Sequence, residues 1–78
     1  MAKKEEYTLE GIDGNAYAIL GYVQRSMHRE ARPRTEIAAF LEKATSADYD
    51  NLVSYSMYMV DQLNRLASGE IKREDSLL

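Results

Sequence analysis

The chain has no cysteine and no tryptophan, and its 78 residues include one histidine, one phenylalanine and one proline. Without cysteine there is no disulfide to staple so short a chain. With His28 as the only histidine there is also no ligand set for a structural zinc site. No metal or cofactor is therefore expected, and the absence of thiols fits a reducing cytoplasm. No apolar run approaches the roughly 20 residues that cross a bilayer. The stretch MAKKEEYTLE carries Lys3 and Lys4 but no apolar stretch after them, unlike a secretory signal. The expectation is a cytoplasmic protein with no membrane partner. A net charge of −3 and a pI near 5.0 give no general attraction to nucleic acid or anionic lipid.

What is present is an ordinary globular composition, 45% hydrophobic and 29% charged. Its length allows one domain. A core this small seldom supplies more than roughly 3–5 kcal/mol, which leaves good helix packing or self-association as the stabiliser.

Three helical periods follow one another. Ala16, Ile19, Leu20, Val23, Met27 and Ala31 recur at three- and four-residue steps, predicting a helix over about 15–31 that ends before Pro33. Ile37, Phe40, Leu41 and Ala44 repeat the spacing over about 36–44, with Thr35 as the expected cap. Ser46 is the expected cap of a third helix with Asp48 and Asp50 in its first turn and Gly69 at its stop. In that helix Tyr49, Leu52, Val53, Met57, Val60, Leu63 and Ala67 share a face, which Tyr55, Met59 and Leu66 widen to roughly 200°, about twice what a surface helix needs. A helix of that kind sits between two neighbours, or between its own core and a second chain. The expected fold is all-α: a compact three-helix domain, ordered over about 7–68. A short extended lead-in at Tyr7, Leu9 and Ile12 precedes it, and a mobile polar tail over 69–78 follows.

The glycine-rich stretch GIDGNAYAILG, Gly11 to Gly21, matches no ligand loop. A P-loop needs a lysine after its last glycine, and none lies between Lys4 and Lys43; a calcium loop needs further oxygen ligands beyond Asp13 and Asn15. Asp13 or Asn15 reads instead as a helix cap, and Gly21 as a place where another helix backbone comes close. Catalysis has little to stand on. His28 is at the border of the apolar face, Ser26 projects elsewhere, and Asp48 and Asp50 diverge on a helix, so no catalytic residue is assigned.

Two surfaces remain. Arg25, Arg29 and Arg32 align with Tyr22 on the outer side of the first helix, a stripe able to contact nucleic acid through phosphates and stacking. The acidic balance of the chain and Glu30 within the run weigh against it. A helix-turn-helix reading around Pro33 fails too, because Asp48 and Asp50 would repel the phosphates that the next helix must approach. The other surface is aromatic: Tyr55, Tyr58 and Met59 on the third helix, with Tyr22 second, are the expected contacts to a protein partner, a second copy included.

Asp13-Gly14-Asn15-Ala16-Tyr17 with Ile19, Leu20 and Gly21, followed by Ser46-Ala47-Asp48-Tyr49-Asp50, resembles a family of short bacterial proteins that look like phage and mobile-element products. D-G-N-A-[FY] and S-G-D-Y-D recur in that family, and Ala47 here stands where its second block has glycine. The resemblance spans roughly Leu9 to Val60. It implies one compact domain of bacterial or phage origin and carries over no catalytic residue. The leading expectation is a non-enzymatic module acting by protein contact, with nucleic-acid binding through Tyr22, Arg25, Arg29 and Arg32 as the alternative.

Overall fold

The computed structural model describes residues 6–78. Its order is α1 (Ala16–Arg29), α2 (Arg34–Ala44) and α3 (Tyr49–Ala67), with no strand among the described residues. The breadth of the apolar arc on α3 is explained by its position. α3 packs against both α1 and α2, which touch each other far less, and the result is a slab of 36 × 28 × 17 Å. Val23 and Met27 from α1, Phe40 and Ala44 from α2, and Met59 and Leu63 from α3 are fully enclosed at the junction.

Helix ends follow side-chain chemistry more closely than the apolar period. At the start of α1 both expected caps operate in series: Asp13 Oδ1 accepts from the Asn15 amide at 3.0 Å, and Asn15 Oδ1 accepts from the Tyr17 amide at 2.8 Å. α2 differs from expectation. Thr35 is not its cap; Pro33 occupies that position with φ −62°, and no side chain caps the helix. α3 is capped by Asp48, whose Oδ1 accepts from the Asn51 amide, rather than by Ser46. Ser46 instead donates to the Lys43 carbonyl, and Asn51 donates to the carbonyls of Lys43 and Ala44, closing the end of α2.

α1 and α3 stop in the same way. After α1, the amides of Ala31 and Arg32 return to the carbonyls of His28 and Met27; after α3, those of Gly69 and Glu70 return to Leu66 and Arg65. Each is a helix stop with a left-handed residue, Ala31 at φ 57° and Gly69 at φ 85°.

The described segments on either side of the helices are both anchored. In the lead-in, Tyr7 is buried, and the Asn64 carboxamide grips its main chain from both sides. The Tyr7 amide donates to Asn64 Oδ1, and Asn64 Nδ2 donates to the Tyr7 carbonyl, both at 2.8 Å. The tail expectation is overturned. Residues 70–78 fold back onto the α1–α2 turn, with Leu77 buried in the core and Ile71 packed against it. Burying a leucine side chain is worth about 1.5–3 kcal/mol, enough to hold a short segment that polar composition alone would leave free.

Candidate protein-contact surface

The basic stripe does not exist as a continuous surface. It presumes that the helical course continues to Arg32, but α1 ends at Arg29 and the left-handed Ala31 turns the chain inward. Arg32 is only 7% exposed and forms a bidentate pair with Glu36, Nε to Oε1 at 2.6 Å and Nη2 to Oε2 at 2.8 Å. Its remaining donors reach the carbonyls of Arg73 at 3.0 Å and Asp75 at 2.8 Å. Arg32 is thus a structural clamp and not a nucleic-acid contact. Arg29 stands 3.8 Å from Glu6 and 5.8 Å from the centre of the Tyr7 ring, leaving Arg25 as the member of the row with no acidic partner among the described residues. Tyr22 is half-buried, and its hydroxyl accepts from the Thr8 amide at 2.9 Å.

Gly21 also departs from expectation. A side chain there would meet no helix backbone, only the flexible end of Arg25, at 3.2 Å. His28, expected at the edge of the core, is exposed, and Ser26 Oγ is committed to the Tyr22 carbonyl at 2.9 Å. Ser56 is fully enclosed, its hydroxyl without a hydrogen-bond partner and out of reach of any external substrate. Among the described residues no cluster of three or more His, Cys, Asp or Glu side chains is placed to hold a metal ion.

The apolar material at the surface gathers on the two flanks of the outer face of α3. Met59, expected there, is enclosed in the core. Met57 takes its place at the surface, 60% exposed, beside Tyr58 at 45%. These neighbours diverge by about 100° and so belong to different flanks. On one flank Met57, Val53 and Tyr49 face the lead-in across a groove of 440 Å³ whose other wall includes Leu9, Ile12 and Ile19. The Tyr49 hydroxyl donates to the Gly14 carbonyl and fixes the end of that groove. Nearby in the chain Tyr17, 85% exposed, stands away from the buried face of α1. On the other flank Tyr58 and the half-buried Tyr55 form a groove of 370 Å³ with Ser54, Lys43 and Leu78.

Tyr55 and Tyr58 are therefore brought together as expected, whereas Tyr22 and Met59 are not part of their surface. Sequence reasoning missed Met57, Tyr17 and Leu78. Tyr17 carried a signal, since it lies well off the stripe of Ile19, Val23 and Met27; Met57 carried none, because it falls inside the wide apolar arc. No helix among the described residues is long and apolar enough to cross a membrane. Comparison with known proteins finds no matching family model, no matching curated protein and no matching solved structure.

Proposed function

We propose that this protein is a non-enzymatic, cytoplasmic interaction module that works through the outer face of α3, with a second copy of itself as the first partner to test. The observation that carries the reading is the exposure of Met57 and Tyr58 on the two flanks of the outer face of α3, each at the rim of an apolar groove. Exposed methionine and tyrosine are well suited to contact surfaces, one adaptable and the other amphipathic. The bacterial or phage character implied by the DGNAY and SADYD blocks fits a small accessory protein of this kind. Nucleic-acid binding is less favoured, because Arg32 is sequestered by Glu36 and the net charge is −3.

Sedimentation over a concentration series tests the reading. A reversible dimer is expected, weakened in the double variant Met57→Glu/Tyr58→Glu, with the helical circular dichroism signal unchanged because both side chains are exposed. A clean monomer at high micromolar concentration removes self-association. If the chain also binds single-stranded nucleic acid with affinity falling steeply as salt rises, the alternative takes over.

A further inference from the structure

The clamp formed by Arg32 and Glu36 has the chemistry of a peptide-binding seat. Both side chains are nearly enclosed, at 7% and 8% exposure, and what they bind is main chain. Arg32 donates to the carbonyls of Arg73 and Asp75, while Glu36 Oε2 accepts from the Leu77 amide at 3.3 Å. The side chain that enters the apolar interior beside them is that of Leu77. Arg73 adds a lateral tie, Nη2 to Glu30 Oε1 at 2.8 Å and Nη1 to the Glu30 carbonyl at 2.7 Å. The segment has no helix or strand of its own; the amides of Glu70 and Ile71 return to the Arg65 carbonyl at the end of α3, and the ties from Arg73 onward fall on residues 30–36.

Two features make this seat exchangeable. The segment is joined to α3 through one sharp corner at Gly69, φ 85°, and a short bent link of this kind is where segments exchange between copies. An emptied seat would trade three main-chain hydrogen bonds for water and expose the pocket that Leu77 fills, so simple opening is disfavoured. A second copy is the occupant that restores every one of those bonds, because it presents the identical backbone and the same leucine.

We propose that residues 70–78 are an exchangeable ligand, and that the Arg32–Glu36 seat of one copy receives this segment from another. The inference rests on the self-association reading and names its mode. It also reaches the outer face of α3, since the exchanged segment carries the Leu78 that walls the groove at Tyr55 and Tyr58.

The absence of cysteine from the 78 residues allows a direct test with the whole of this chain. Ala39 and Ser76 line the same cleft over the seat, one from α2 and one from the segment. Chains bearing only Ala39→Cys are mixed with chains bearing only Ser76→Cys under mild oxidation. Seating in trans holds the thiols together at millimolar effective concentration, so at least about tenfold more disulfide-linked heterodimer is expected than with Arg25→Cys in place of Ala39→Cys. Adding Gly69→Ala to both chains strains the closed corner but not an opened one, and should raise the yield further. A yield equal to the Arg25 control, with or without Gly69→Ala, overturns the proposal. If the yield stays at control while sedimentation still finds a dimer sensitive to Met57 and Tyr58, association is real and uses another face. If both are negative, the self-association reading fails with it.

Discussion

At the residue scale, two positions hold side chains opposite to those their backbones favour. Ala31 occupies a left-handed turn, where a Cβ costs roughly 1–2 kcal/mol, and Gly21 sits in the interior of α1, where glycine costs about 1 kcal/mol relative to alanine. Neither is compensated by a close approach: Ala31 is exposed, and space beside Gly21 is limited only by the movable Arg25 guanidinium. Ala31→Gly is expected to stabilise the fold by about 1 kcal/mol, since the gain in turn geometry exceeds the added freedom of the unfolded chain. Gly21→Ala should stabilise by about 0.5–1 kcal/mol through helix propensity. Chemical denaturation of both variants checks this; a loss of stability in Gly21→Ala would mean that Arg25 cannot move aside. These sites also show where sequence reading reaches its limit. Gly21 suggests a close helix crossing because that is a common reason for a helical glycine, yet no neighbour is there. Ala31 carries no turn signal at all, and the direction of Arg32 was lost with it.

At the element scale, the three helices were legible because apolar spacing persists over many residues, while their caps were off by up to two residues because several polar candidates stand together at each end. α3 shows the limit for the site. Its arc is so wide that the sequence does not fix its centre, and Met57 and Met59 exchange roles, one exposed and one enclosed. The terminal segment was illegible for another reason: Ile71 and Leu77 have no period, and their seat exists only once Arg32 and Glu36 are folded beneath them. That attachment is sensitive to acid. Burial pushes the Glu36 carboxyl up, but the Arg32 guanidinium and the Leu77 amide outweigh it and hold the group below its ordinary value. Burial likewise pushes Glu30 up, and the Tyr7 hydroxyl and Arg73 bring it below that value. A carboxyl that binds its proton less readily when folded stabilises fully above the ordinary carboxylate range, and that contribution disappears as pH falls through the lowered value. Hydrogen exchange at the Leu77 amide should therefore accelerate, relative to amides of α3, as pH falls below the ordinary carboxylate range, once corrected for intrinsic rates. Glu36→Gln should flatten the change; an amide equally protected across the range would refute the acid linkage.

At the scale of the whole molecule, the helices supply a slab and the two terminal segments bind across it, the lead-in held at Asn64 and Glu30 and the terminal segment at Glu30, Arg32 and Glu36. Glu30 touches both, since it accepts from the Tyr7 hydroxyl and from Arg73. This arrangement has a consequence for the order in which the protein folds. Contacts between α2 and α3 close a short loop and those between α1 and α3 a longer one, whereas the grip of Asn64 on Tyr7 joins residues 57 apart in sequence and must await most of the chain. The grip is thus expected to form after the rate-limiting step. Removing it with Asn64→Ala, which forfeits two hydrogen bonds worth about 1–2 kcal/mol together, should speed unfolding roughly 5- to 30-fold and leave the refolding rate nearly unchanged. Stopped-flow chevrons would read this directly, and a slowed refolding limb would place the lead-in within the folding nucleus. On this account the asparagine acts as a latch that sets how long the native state lasts, while the helices set how quickly it is reached.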